Sequence, residues 1–488
     1  MLILEADYLV TDSASPVIAG GAVAISGDRI RAAGTARHIR AAYPSAEPVS
    51  LGHVCLMPGF VNAHQHGRGL SQIQLGFPDD NLESWIARRR GRGAPDPYAL
   101  TRLAALEMLA NGVTATLHAN YSYGSGDYET ELRASIRAYE ETGLRATICV
   151  GYADRGALVY PPADERAFQG TLSPAVRALI QNAQAAYLPL DATLDLMARL
   201  SAEYDGHPTI RFAYGPAGPQ WVSDEAWRVL AADAKARGLG LHFHLLESPA
   251  QAKCARMLYP EGVLSSLESL GVFEAPASAA HFVHATPQDI ADAVRLGLAI
   301  VANPGSNMRL GNGQPPVAAL TDAGAALALG TDNCALDDNE DYLAELRLGR
   351  LLARSTSSSN ATQMRTWFAA GTETGARAVF LPDTGRIEPG AKADLIAMDM
   401  SRISGAYLDA DIDILDVVMA RGTGRDIVMT MVDGSILCRD GVFLHADIDE
   451  ARRAAEETAR ASRLDSSRWQ AADELASALR RHYGYAAS

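Results

Sequence analysis

The chain has 488 residues, 48% of them hydrophobic, and a formal net charge of −15. That length can bury a large core, enough for one big domain and a smaller one. The acidic balance argues against nucleic acid or anionic membrane as partners, and the one basic run, Arg88-Arg89-Arg90-Gly91-Arg92, reads as a solvated helix end. The cysteines Cys55, Cys149, Cys254, Cys334 and Cys438 form no Cys-x-x-Cys and suit a reducing compartment. No apolar run approaches the ~20 residues that span a bilayer, and Met1 to Asp7 lacks the basic start of a signal peptide. A cytoplasmic, membrane-free protein is expected.

In chain order, the first segment alternates as short strands: Leu2–Val10, Gly21–Ser26 and Arg29–Ala33, with turns at Asp12-Ser13 and Gly27-Asp28. From about Cys55 short apolar strands alternate with Ala/Leu/Arg-rich helices such as Tyr98–Ala110, Glu129–Thr142, Asp224–Arg237 and Pro287–Arg295. Alternation of this kind predicts a parallel sheet. The strands are Leu56–Ala63, Val113–Ala119, Arg145–Gly151, Thr209–Tyr214, Leu239–Leu245, Ala279–Val283, Ala299–Ala302 and Ala325–Leu329. Eight such strands read as a (β/α)₈ TIM barrel, whose functional groups gather at the C-terminal strand ends.

Short strands return after Arg386, at Asp394–Asp399, Val428–Val432 and Ser435–Cys438. The expected organisation is a barrel over 56–385 inserted into a small β-sandwich made from 1–55 and 386–446. A helical, surface-docked tail over 447–488 follows.

At the end of the first barrel strand, Pro58-Gly59-Phe60-Val61-Asn62-Ala63-His64-Gln65-His66 places two histidines one residue apart. On a strand, residues i and i+2 share a face, so both imidazoles can meet one metal ion. His244 with Glu247, His281 and Asp332 each close a later apolar run. Imidazole nitrogen and carboxylate oxygen suit Zn²⁺ or Fe²⁺ with a position left open for water. The ligands expected are His64, His66, His244 and Asp332. His242 faces the same way as His244 but lies deeper in its strand, and reads as a core or supporting residue.

The run Pro58 to His66 resembles the signature of the amidohydrolase superfamily. So do His244-Leu245-Leu246-Glu247, Ala280-His281-Phe282-Val283-His284, Asn303-Pro304-Gly305-Ser306-Asn307-Met308-Arg309-Leu310 and Gly330-Thr331-Asp332. The branch it looks most like acts on amino-heterocycles: adenosine-type, guanine, cytosine and triazine hydrolases. The resemblance implies one divalent ion, Zn²⁺ first and Fe²⁺ second. Two-metal relatives bridge their ions with a lysine at the fourth strand, and Lys235, Lys253 and Lys392 cannot reach that place. It also implies roles. Asp332 takes a proton from water and hands it to the departing amine, Glu247 protonates the ring nitrogen, and His281 hydrogen-bonds the attacking oxygen. A homodimer or homotetramer is implied as well.

Substrate contacts are less marked. Adenosine-type relatives resemble Gly-Pro-His-x-Pro-Tyr after the fourth strand, whereas this chain has Gly215-Pro216-Ala217-Gly218-Pro219-Gln220-Trp221, so an adenosine-like substrate is not indicated. Gln220 offers a donor and an acceptor to an amidine edge, or stabilises its turn. Asp337 and Asp338 stand near the mouth and favour a ring rich in N–H donors, such as an amino-pterin, guanine-like or aminotriazine ring, or else cap the helix beginning near Glu340. Arg155 is a candidate for a substrate carbonyl or anion, and Trp85 for a pocket cover or a packed core residue. The expected function is deamination of a small nitrogen heterocycle. The alternatives are hydrolysis of a C–Cl, C–N(alkyl) or urea-type bond, and a metal-binding protein without turnover.

Overall fold

The structure, a computed structural model, describes residues 1–156, 158–183, 186–356 and 363–486. Eight parallel strands follow one another round a barrel: Phe60–Gln65, Val113–His118, Arg145–Tyr152, Ile210–Pro216, Gly240–Leu245, Ala277–His281, Ala299–Ala302 and Leu327–Leu329. The ring closes where the Asp332 N–H donates to the His64 carbonyl at 2.9 Å. Side chains alternate between two apolar environments, as strands buried on both faces require. Val61, Ala63, Ala115, Leu117, Cys149, Ala213, Val301 and Ala328 fill the interior, while Phe60, Val113, Ile148 and Phe243 meet the surrounding helices. The helix Glu373–Ala378, with Val379 and Leu381, packs into the N-terminal end of the barrel.

The terminal segments form one nine-stranded mixed sheet that folds over a core of its own, in which Leu4, Val23 and Leu56 meet Leu395, Ala397 and Met431. Its order is Val442–Phe443, Ser435–Arg439, Ile427–Val432, Leu395–Asp399, Val54–Pro58, Leu2–Leu9, Ile18–Ser26 and Arg29–Thr35, with Pro48–Ser50 beside Leu2–Leu9. The sheet curls until Arg29 bridges Lys392. Its central strand, Val54–Pro58, joins the N-terminal strands to the C-terminal ones. The sequence had read Leu56–Ala63 as a single barrel strand, yet Gly59 divides it between the two sheets. A Cβ on Gly59 would lie 2.1 Å from Thr114 Oγ1, so only glycine permits that crossing.

The tail forms two helices, Ile448–Ala461 and Ser466–Tyr483. The second lays Ala472, Leu475, Ala476 and Leu479 inward and packs on the helix Leu82–Arg89. This corrects the reading of the basic run as a solvated helix end. Arg88 pairs with Asp80 at 2.9 Å and Asp473 at 2.8 Å, Arg89 stacks over Trp85 and Tyr121, and Arg92 donates to the Leu75 carbonyl. Among the described residues no helix is long and apolar enough to cross a membrane.

Candidate metal centre

Three imidazoles and a carboxylate converge at the C-terminal end of the barrel. His64 and His66 stand at the end of the first strand, where its pairing with the second shifts register between Asn62 and Gln65. His66 Nε2 lies 3.0 Å and His64 Nε2 3.4 Å from Asp332 Oδ1. Potential ligand atoms lie within 4.8 Å of one another in three overlapping trios: His64–His66–Asp332, His64–His244–His281 and Glu247–His281–Asp332. All these residues are buried except His244, which is partly exposed.

The outer nitrogens of the rings are fixed by partners that set their tautomers. His66 Nδ1 donates to the Ala119 carbonyl at 2.5 Å and His244 Nδ1 to the Ala217 carbonyl at 2.8 Å. His64 Nδ1 meets His242 Nε2 at 2.8 Å, and His242 Nδ1 meets Ser278 Oγ at 2.7 Å. His242 therefore backs a ligand-type histidine. His281 Nδ1 donates to Asn307 Oδ1 at 2.9 Å. In His64, His66, His244 and His281 the partnered nitrogen is Nδ1, which leaves Nε2 for the centre. Among the described residues the buried Nε2 atoms of His64 and His281 have no hydrogen-bond partner, a deficit that a cation or its water would fill. Burial lowers the proton affinity of His64, and it brings the His244 pKa down to about 3, so both rings stay neutral as ligation requires. The donor set fits a divalent transition ion.

Glu247 stands beside this cluster, its Oε1 3.7 Å from His281 Nε2. Burial, and then the charge of Asp332, pushes its carboxyl well above the usual range, which favours the protonated form. Asn312 Nδ2 donates to Oε1 at 3.0 Å and Gln251 Nε2 to Oε2 at 3.2 Å. Ser306 Oγ donates to Asp332 Oδ2 at 2.5 Å. His281 and Asp332 both adopt left-handed backbone angles, φ 76° and 53°, which non-glycine residues take only where the surroundings impose them.

The remaining candidates separate. Gln220 is buried near the His244 carbonyl, and its Nε2 has no partner among the described residues. Trp85 packs with Phe77, Leu82, Leu310 and Cys334. Arg155 is not brought to the cluster; it faces Asp224 at 3.3 Å. Asp338 is held by Arg309 and Ser71, both at 2.6 Å, and Asp337 is exposed against Asn339. Neither caps the next helix, because Asp341 accepts from Ala344 N there. Sequence reasoning gave no role to Gln251, Ser306, Asn307 or Asn312. For the last three the signal was the amide-rich and hydroxyl-bearing segment Asn303 to Asn312 after the seventh strand.

The profile described as "Amidohydrolase family" matches residues 55–437, and one for an imidazolonepropionase-like composite domain of bacteria matches 21–46. A 5-methylthioadenosine/S-adenosylhomocysteine deaminase of Moorella thermoacetica is 28% identical over 455 residues, covering 92% of this chain and 96% of that protein. A zinc-bound adenosine deaminase from Xanthomonas campestris superposes with TM-score 0.76 at 24% identity, covering 95% of this chain and 98% of its own. The zinc complex of the atrazine chlorohydrolase TrzN from Arthrobacter aurescens TC1 gives 0.79 at 21% identity, covering 94% and 100%. At those identities the two structures establish likeness of fold.

Proposed function

The chain belongs to the amidohydrolase family, and from that premise we propose that it is a mononuclear metal-dependent deaminase that releases ammonia from a small nitrogen heterocycle. The observation that carries this reading is the combination of ring nitrogens without a partner among the described residues and the buried Glu247 carboxyl 3.7 Å from one of them. His64, His66, His244 and Asp332 would hold one ion, Zn²⁺ in the first place and Fe²⁺ in the second. A bound ion of this kind supplies Lewis acidity and lowers the pKa of water from ~15.7 towards ~7.

The chain's own groups do the rest. Asp332 accepts the proton of the attacking water and later passes it to the departing amine. Glu247, whose protonated form burial favours, donates to the ring nitrogen so that charge does not accumulate there. His281, its Nδ1–H tied to Asn307, presents Nε2 to the attacking oxygen and orients it. Gln220, whose buried Nε2 has no partner among the described residues, would read an amidine edge. Ala217 at the position where adenosine-type relatives resemble histidine argues for a purine-base, pterin, pyrimidine or triazine ring over a nucleoside.

We place the protein in the cytoplasm, in keeping with five free and buried cysteines. The assembly is read as a homodimer or homotetramer on family likeness. Ammonia release from methylthioadenosine, adenosine, guanine, an aminopterin, cytosine and melamine, with atrazine followed for chloride release, tests the proposal. Ammonia from at least one amino compound is expected. Chloride release alone would replace deamination with dechlorination.

A further inference from the structure

Glu83 is a carboxylate 4% exposed in the helix that follows the first barrel strand. Among the described residues its partners are three hydroxyls from three distant parts of the chain. Tyr160 OH and Ser248 Oγ donate to Oε1, the latter at 2.5 Å, and Tyr485 OH donates to Oε2 at 2.7 Å. A buried carboxylate satisfied by neutral donors stays where those donors hold it, and it orders them in turn.

Ser248 is the residue after Glu247. Its Oγ also accepts from Gln251 N at 3.1 Å, capping the helix Pro249–Leu258. That cap fixes Gln251, whose Oε1 accepts from Glu247 N and whose Nε2 donates to Glu247 Oε2, both at 3.2 Å. An unbroken series of hydrogen bonds thus runs from Tyr485 through Glu83, Ser248 and Gln251 to the Glu247 carboxylate. Tyr485 is itself located by the C-terminal helix. Tyr483 OH accepts from Tyr160 N at 3.0 Å, and the Tyr160 and Tyr483 rings lie 5.5 Å apart.

We propose that Glu83 and Tyr485 are positioning residues for Glu247, so that the C-terminal helix of the chain helps to aim the proton donor on the far side of the barrel mouth. The inference rests on the reading of Glu247 as that donor, but its first test does not need turnover. Hydrogen exchange on the full zinc-loaded chain should show residues 246–252 exchanging several-fold faster in Tyr485→Phe than in wild type, with residues 60–66 unchanged. On whichever panel compound the wild type deaminates, kcat should fall about tenfold with KM held within about twofold. The double variant Ser248→Ala/Tyr485→Phe should be no slower than Ser248→Ala, because both act through one path.

Exchange that rises only around residues 480–486, or rate losses that simply multiply in the double variant, would overturn the proposal. Tyr160→Phe, which removes a second donor from Glu83, is read in the same way should Tyr485→Phe fail to fold. If the wild type deaminates nothing, the reaction assignment fails while the exchange result still decides the positioning path.

Discussion

Two clusters of buried polar side chains lie at opposite ends of the same barrel strands, and they differ in one respect. At the N-terminal end, Arg145 Nε and Nη2 bind Asp394 at 2.7 and 3.0 Å, Nη2 binds Asp433 at 2.9 Å, and Nη1 donates to the Pro208 carbonyl at 2.6 Å. Lys392 completes the group, bonding Asp28 and Asp433 at 2.7 Å each. Charge and hydrogen bonds there are saturated, and the cluster locks the barrel to the curled sheet. At the C-terminal end, His64 Nε2, His281 Nε2, Asn307 Nδ2, Gln220 Nε2 and both amide atoms of Asn120 are buried and have no partner among the described residues. Folding does not leave such groups bare without return. Saturation marks the structural end of the barrel, and deficit marks the end built to receive something.

The largest expected effect breaks the open end. His64→Ala with His66→Ala removes two of the four proposed ligands, so bound metal and turnover should both vanish; elemental analysis and ammonia assay measure this, and unchanged metal content would refute the assignment. Glu247→Gln sharpens the same end by separating binding from proton transfer. It should keep the metal and lose about 10²–10⁴-fold in kcat, and a near-wild-type rate would remove the donor role.

At the closed end the signature reverses. Arg145→Met strands Asp394 without its partner and should cost about 3–5 kcal/mol in urea unfolding. The fraction that remains folded should keep its kcat, and a variant that is stable but inactive would erase the contrast between the two ends.

The smallest effect concerns Glu107, between the two ends. Burial, and then the charge of Glu340, pushes its carboxyl up to about 7. An acid with a raised pKa in the fold is ionised more readily when unfolded, so its contribution is fully present below the unfolded value near 4.5. That contribution is lost as pH climbs through about 7. Glu107→Gln should therefore match wild type at pH 5 and gain about 1–2 kcal/mol at pH 8, the figure discounted for partial exposure. Equal gains at both pH values would show that ionisation is not the cause.

Strand and helix periodicity made the barrel legible, because each strand is apolar on both faces and each helix has its own stripe. Periodicity cannot see a change of sheet, which is why Leu56–Ala63 read as one strand across Gly59. The convergence of His64, His66, His244, Glu247, His281 and Asp332 was legible because each closes a strand, and strand ends in a barrel meet. The partners of those groups were not legible. Nothing local shows that Arg309 claims Asp338, that Arg155 turns to Asp224, or that Tyr485 reaches Glu83 from the other end of the chain. Long-range pairing among charged and hydroxyl side chains depends on which loops become neighbours, and one-dimensional spacing does not encode it. The basic run misled for the same reason, since its cover arrives some 380 residues later.

The passage from Val54–Pro58 to Phe60–Gln65 through a single glycine leaves five residues between the curled sheet and His64. No hinge fits in so short a span. The barrel therefore cannot be excised or transplanted by cutting at its first strand, because the cut would free the backbone that carries the first two imidazoles. Chimaeras with related barrels should exchange both flanking segments together, or keep both.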